Sequence, residues 1–230
     1  MVAAPLHIGS KALLRRSQWP QRFLRAASWI VGARVRTVGR PVGPHSLIVA
    51  NHISWIDILV LGGATGCALV SKDKLGHGFV HWLADQNRTI YVDRSARRDV
   101  AGQAAAIGAA LAGGAVVAFF PEGTVGPGNR LLPFRPPLFT AAEQAARDVA
   151  VRPVAIDYGE AATAISWFEE DGRDNVIRLL GRRGTVAVTV RLLDPLPHGD
   201  RKQMARQAAD AIAEALGFKS AGHSPIAGDQ

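Results

Sequence analysis

His52 and Asp57 stand five positions apart in the run Asn51-His52-Ile53-Ser54-Trp55-Ile56-Asp57, directly after the apolar stretch Leu47-Ile48-Val49-Ala50. No glycine or proline separates them, and two readings are open. Ser54 with Asp57 three positions on has the spacing of a helix capping box ahead of Ile58-Leu59-Val60-Leu61. If Ser54 opens that helix, Asp57 lies in its first turn and His52 in the loop before it. The carboxylate then reaches back to orient the imidazole, fix its tautomer and raise its basicity. The two readings are compatible in geometry. A His–Asp pair with no evident serine or cysteine nucleophile points to a base acting on a substrate hydroxyl.

Three further groups could carry chemistry. Phe120-Pro121-Glu122-Gly123-Thr124 follows an apolar run at what reads as a strand end, where α/β sheets bind ligands. Gly123 allows close backbone approach, and Thr124 offers a hydroxyl and an N–H to a phosphate or carbonyl oxygen. The plainer reading is a turn shaped by proline and glycine. Arg94, in Tyr91-Val92-Asp93-Arg94, is either a phosphate clamp or the partner of a surface acid such as Asp93. Asp73, His77, His81 and Asp85 recur every four residues and would form a stripe of metal-ligand types on a helix. Gly76 and Gly78 weaken that helix and no H-E-x-x-H occurs, so no metal site is expected.

The elements that must position these residues alternate. Strands are expected at Ser46–Ala50, Ala68–Ser71, Arg88–Val92, Ala115–Phe120, Val151–Tyr158 and Thr185–Leu193. Helices are expected at Trp55–Leu61, Asp73–Asp85, Arg98–Ala112, Leu138–Asp148 and Arg201–Leu216, the last ended by Gly217. Pro121 to Pro137 reads as loop, and Gly159–Arg183 shows no clear period. Strands separated by helices predict an α/β fold: a mixed, largely parallel sheet covered by helices. The uncharged stretches Ile58–Ser71 and Ala104–Phe120 are each interrupted by a glycine pair. They read as helix, glycine stop and buried strand rather than as membrane spans. The single cysteine, Cys67, sits in apolar sequence and reads as a small buried side chain.

The chain of 230 residues carries a net charge of +8, and all of that excess lies at the front. Residues 1–40 hold Lys11, Arg15, Arg16, Arg22, Arg25, Arg34, Arg36 and Arg40 with no acid; the first acid is Asp57. A helix over 12–32 would place Trp19, Phe23, Ala26 and Ile30 on one face with Arg15, Arg22 and Arg25 along its flank. Such a segment suits an anionic membrane interface; a core helix and a nucleic-acid surface are the other readings. The expected organisation is an interfacial segment over 1–40, a catalytic domain over 41–217 and a disordered tail over 218–230.

Taken together the motifs resemble the lysophospholipid acyltransferase family, of which 1-acylglycerol-3-phosphate acyltransferases are members. Residues 51–57 match N-H-x4-D, and Val92-Asp93-Arg94 with Lys72 before it resembles the second block. Phe120–Thr124 is identical to the third, and Val151-Arg152-Pro153-Val154-Ala155-Ile156 is similar to the fourth. The resemblance implies that His52 is the general base, Asp57 its orienter, and that Lys72, Arg94, Glu122, Gly123 and Thr124 shape the acceptor site. It implies direct attack of a lysolipid hydroxyl on acyl-CoA or acyl-carrier protein as co-substrate, with no cofactor, at the cytoplasmic face of a membrane as a peripheral or monotopic protein. The acceptor implied first is 1-acylglycerol-3-phosphate. Val125-Gly126-Pro127-Gly128 and Phe134-Arg135-Pro136-Pro137 depart from the family near the headgroup site, and Ser166-Trp167-Phe168 is similar to members that acylate lyso-ornithine lipid. A non-catalytic membrane-binding protein on the same fold is the remaining alternative.

Overall fold

The computed structural model describes residues 18–72, 90–92, 100–144 and 148–218. In chain order it contains α1 (Trp19–Ile30), β1 (Ala33–Gly39), β2 (Ser46–Ala50), α2 (Ile56–Thr65), β3 (Ala68–Lys72) and β4 (Ile90–Val92). There follow α3 (Val100–Ala112), β5 (Val116–Phe119), a 3₁₀ turn (Pro136–Phe139), α4 (Thr140–Glu143) and β6 (Ala150–Asp157). A second 3₁₀ turn (Gly159–Ala161), α5 (Ala162–Ile165), α6 (Gly172–Leu180), β7 (Val186–Leu192) and α7 (Arg201–Leu216) complete it.

Among the described residues one seven-stranded sheet forms, in the order β1-β7-β6-β2-β5-β3-β4. All neighbours are parallel except β6 and β7. The central strand β2 is apolar on both faces because helices cover both. Ile48 and Ala50 point into one core with Leu24, Leu59 and Ile156, while Leu47 and Val49 point into the other with Phe139, Met204 and Ile212. The expected mixed, largely parallel sheet is thus the one observed. Both glycine-interrupted stretches fold as helix then strand. No described helix is long and apolar enough to cross a membrane.

The front segment differs from expectation. Pro20 sits in the first turn of α1, where its missing N–H breaks no hydrogen bond. The face of α1 that is covered carries Leu24 and Ser28, with Phe23 and Ala27 against the core; Ala26 and Ile30 are exposed. This face lies on α2, where a Cβ on Gly63 would come within 2.9 Å of the Arg25 backbone nitrogen. Residues 33–39 are not part of a separate segment but an edge strand paired in parallel with β7. The boundary expected at residue 40 therefore does not divide the folded part. Alternation in Ala33-Arg34-Val35-Arg36 marks the strand, and its exposed arginines keep the edge from pairing with another chain.

Elsewhere the expected helix at Leu138–Asp148 is a 3₁₀ turn followed by the short α4, with 145–147 outside the described residues. The unassigned stretch 159–183 contains α5 and α6; Asp171 caps α6 by accepting from the Arg173 amide at 2.8 Å. The expected helix at 73–85, its metal-ligand stripe, and Arg94 lie outside the described residues, as does the tail from 219.

Candidate active site

The carboxyl ends of β2, β5 and β6 meet at one edge of the sheet, and the expected residues collect there. Asn51 ends β2 by bonding both backbone groups of Ile156, donating to its carbonyl at 3.0 Å and accepting its N–H at 2.8 Å. This side-chain clamp continues the β2–β6 pairing by one step and releases the chain into the loop that carries His52.

Asp57 is fully buried in the first turn of α2, as the capping spacing predicts. Its Oδ2 accepts from His52 Nδ1 at 2.9 Å, the Ile53 amide at 2.7 Å and the Ser54 amide at 2.9 Å. Half of the capping box is present: the acid reaches back to the Ser54 N–H. The other half is not, since Trp55 takes the N-cap position and the Ser54 hydroxyl stands 3.4 Å from the Ile56 amide. The remaining oxygen, Oδ1, accepts from the Tyr158 hydroxyl at 2.6 Å. Four donors therefore satisfy one buried carboxylate, which is what a buried charge requires. Burial, the Asp57 charge and this hydrogen bond all push the Tyr158 hydroxyl well above its ordinary range, so it stays a neutral donor.

Because Asp57 holds Nδ1, Nε2 is the ring nitrogen of His52 not engaged by the acid. The ring is 16% exposed and stacks on Phe120 with centroids 4.1 Å apart and planes within 12°. An imidazole fixed in this way can take a proton at Nε2 from a group that reaches it from solvent.

The Phe120–Thr124 loop grips His52 by its backbone. Glu122 Oε1 accepts the His52 N–H at 2.8 Å, Oε2 accepts the Leu132 N–H at 3.0 Å, and the Gly126 N–H donates to the His52 carbonyl at 2.7 Å. Burial pushes the Glu122 carboxyl up to about 7, against the opposing pull of those two amides. Its oxygens are thus engaged in holding the loop rather than offered to an acceptor headgroup. Gly126, in the stretch that departs from the family, has a structural reason: a Cβ there would lie 2.9 Å from Glu122 Oε2. Gly123 has φ +72° and lies under the Arg135 side chain, whose Nε is 3.2 Å from where a Cβ would be. Thr124 is exposed beside it. Lys72 ends β3, at the same edge of the sheet.

Several residues in this framework carried no sequence signal. Ser166 donates to the Gly126 carbonyl at 2.7 Å, and the Trp167 amide donates to the Ile53 carbonyl at 2.7 Å. Asn175, buried on α6, accepts from Trp55 Nε1 at 3.1 Å and donates to the Ser166 carbonyl at 3.1 Å. The segment 166–175 therefore fastens the His52 loop to the Glu122 loop. The sequence offers one hint, the likeness at Ser166-Trp167-Phe168; Tyr158 closes an expected strand and carries no other signal.

The profile of the Acyltransferase family matches residues 21–157, more than half of the chain and the whole frame from α1 to β6. The chain belongs to the acyltransferase family. It is 32% identical over 216 residues to the lyso-ornithine lipid O-acyltransferase of Brucella abortus (strain 2308), covering 86% of this chain and 81% of that one. The likeness to the protein of that name from Rhizobium meliloti (strain 1021) is 34% over 92% of this chain and 79% of the other. A match of that extent necessarily runs through Ser166–Phe168 and α6. The 1-acyl-sn-glycerol-3-phosphate acyltransferase of Neisseria gonorrhoeae is 31% identical over 59% of this chain and 51% of its own. The fold is that of the 1-acyl-sn-glycerophosphate acyltransferase PlsC from Thermotoga maritima, with a TM-score of 0.64 at 21% identity over 90% of this chain and 80% of that one. This acyltransferase is an enzyme, and the non-catalytic alternative gives way to that finding.

Proposed function

We propose that this acyltransferase esterifies the free hydroxyl of a lyso-ornithine lipid, using acyl-CoA or acyl-carrier protein as donor. The observation that carries the chemistry is the His52 Nδ1–Asp57 bond, which leaves the ring's other nitrogen without a hydrogen bond among the described residues. His52 Nε2 takes the proton of the acceptor hydroxyl as its oxygen attacks the thioester carbonyl carbon. The C–S bond then breaks, and the departing thiolate takes that proton back from Nε2. Asp57 stabilises the imidazolium between these events, and no acyl-enzyme forms. The acceptor assignment is supported by the relatives that match through segment 166–175, the part of the chain that positions the His52 loop.

A 1-acylglycerol-3-phosphate acceptor is the second reading. Arg135 supports it, since its guanidinium lies over Gly123 and beside the exposed Thr124, where a phosphate would be bound. Lys72 and Arg94 would join it in that role. The enzyme would work at the cytoplasmic face of the membrane, held there by basic residues in 1–40. Removing residues 1–33 does not test that attachment, because it strips Leu24 from the core and α1 from α2.

The test is thioester consumption by purified protein with each donor and with lyso-ornithine lipid or lysophosphatidic acid, against a His52→Ala control. His52-dependent turnover on lyso-ornithine lipid in preference to lysophosphatidic acid is expected. Turnover on lysophosphatidic acid alone overturns the acceptor assignment, and turnover that survives His52→Ala overturns the mechanism.

A further inference from the structure

Two stretches of the chain combine exposed large apolar side chains with basic residues and no acid. The first is 18–40, where Trp29 is 62% and Ile30 75% exposed among Arg22, Arg25, Arg34, Arg36 and Arg40. The second is 175–193, where Ile177 is 58% and Leu180 54% exposed. Of its arginines, Arg178 pairs with Glu170 at 2.7 Å and Arg191 with Asp157 at 2.9 Å, which leaves Arg182 and Arg183 as the cations with no ion pair among the described residues. Residues 41–174 lie between them in sequence, yet the fold makes them neighbours. The Val186 amide donates to the Gly32 carbonyl at 2.9 Å, and the Arg182 side chain lies across Gly32, its Nη2 3.1 Å from where a Cβ would be. The end of α1 and the end of α6 therefore adjoin.

Sheet register places this junction beside the active site. β7 runs antiparallel to β6 with Thr189 opposite Asp157, so Val186 lies past the carboxyl end of β6, where Tyr158 and His52 stand. Ala33 pairs with Val186 in the same row. α6 is itself tied to the His52 loop through Asn175 and Trp55. Four of the five exposed large apolar side chains among the described residues thus lie on the rim of the catalytic edge. Trp29 carries Arg34 over its ring at 4.8 Å, an indole and guanidinium arrangement suited to headgroup depth. Asp171 and Asp174 stand at the other end of α6, the first as its cap and the second in its first turn, while Glu170, before the helix, reaches Arg178 in its last turn at 2.7 Å.

We propose that α6 and the Arg182–Arg183 turn form, with Trp29 and Ile30, a docking face for an anionic lipid surface, which presents the catalytic edge to the bilayer. Clustered apolar side chains beside an excess of cations are what such a surface selects. The contact through α6 is additional to that of the front segment, and α6 is bonded to the His52 loop through Asn175 and Trp55. The proposal rests on the reading that the acceptor is a lipid.

The experiment is flotation of the full chain with phosphatidylcholine vesicles and with phosphatidylcholine–phosphatidylglycerol vesicles. Ile177→Ser/Leu180→Ser should lower partition onto both by about tenfold or more, since two large apolar side chains lose their burial. Arg182→Gln/Arg183→Gln should lower it by about tenfold or more on the anionic vesicles alone. A bimane on the Ile177→Cys variant should shift to the blue on adding vesicles; Cys67 is buried, its thiol pushed up to about 11, and does not compete for the label. This readout keeps the test intact if the double serine variant folds poorly. Wild-type flotation of both double variants with no bimane shift overturns the proposal, as does a wild-type protein that does not float. A dimer in solution that Ile177→Ser/Leu180→Ser converts to monomer also overturns it, because the face is then covered by a second copy. A protein that floats through α6 but acylates no lysolipid leaves the docking face standing and removes the acceptor assignment. Turnover with wild-type flotation of both variants does the reverse.

Discussion

Asp57→Asn separates charge from geometry at this site. In serine hydrolase triads the amide replacement costs about 10⁴ because it forces the wrong histidine tautomer. Here the surroundings differ. Three N–H donors converge on Oδ2, so the carboxamide oxygen must occupy that position and the NH2 must turn toward Tyr158. A tyrosine hydroxyl accepts as readily as it donates, so the NH2 finds a partner and Nδ1–H keeps its acceptor. What is lost is the negative charge behind the imidazolium. Opposite charges about 4 Å apart at an effective dielectric near 20 interact by about 4 kcal/mol. A full cation in the transition state would cost about 1,000-fold, and a half-transferred proton about 30-fold. Turnover should therefore fall by about 30- to 1,000-fold at saturating substrates, with little change in KM. Thioester release followed with a thiol-reactive chromophore measures it. The same substitution placed on His52→Ala should add almost nothing, because the two act as a unit. A kcat within about twofold of wild type would reduce Asp57 to a helix-entry residue. A loss near 10⁴, beyond that range, with the tautomer reversed by nitrogen-15 NMR, would refute the assigned role of Tyr158.

Tyr158→Phe removes a 2.6 Å donor to a buried carboxylate and should cost about 1.5–3 kcal/mol in urea unfolding. In the Asp57→Asn background it removes only a neutral bond to the carboxamide, so it should cost less there, about 0.5–1.5 kcal/mol, and the double variant should be more stable than the two single losses predict; simple additivity would contradict the arrangement. For Glu122 the folded carboxyl is held up to about 7 against 4.5, so the folded state binds more protons between those values. That contribution is fully present below the lower value and is lost as pH rises through the upper one, up to about 3 kcal/mol. Unfolding midpoints should fall from about pH 5 to about pH 8 in wild type and stay flatter in Glu122→Gln; equal slopes would sink the assignment. Ser166→Ala removes the bond to the Gly126 carbonyl and should lower stability by about 1 kcal/mol and kcat severalfold without changing the pH profile, checked by melting and steady-state rates.

Much of this fold was legible because its strands are buried on both faces. Leu47–Ala50, Val116–Phe119 and Val151–Ile156 are near-continuous apolar runs, and Gly113-Gly114 and Pro121 bound the second of them. The last helix was bounded by Asp200 and Gly217, residues whose capping chemistry is local. β1 was obscured because an edge strand carries arginine at alternate positions without loss, and 159–183 because its short helices are held by contacts to other parts of the chain rather than by an apolar period.

The division at the site follows the range of the forces involved. His52 and Asp57 could be paired from sequence alone, since a first-turn carboxylate reaches only the few amides before it. Gly123 and Glu122 could be singled out, but not what Glu122 holds. Its partners at His52 and Leu132 are fixed by where β5 lies relative to β2, and no local pattern encodes a strand order. The same holds for Tyr158, 101 residues from the acid it donates to, and for α6, which comes to the rim beside α1 only because β1 and β7 pair at the sheet edge. Sequence determined which groups could do chemistry; the tertiary fold decided which backbone and side-chain donors would hold them, because those contacts exist only once distant strands are in register.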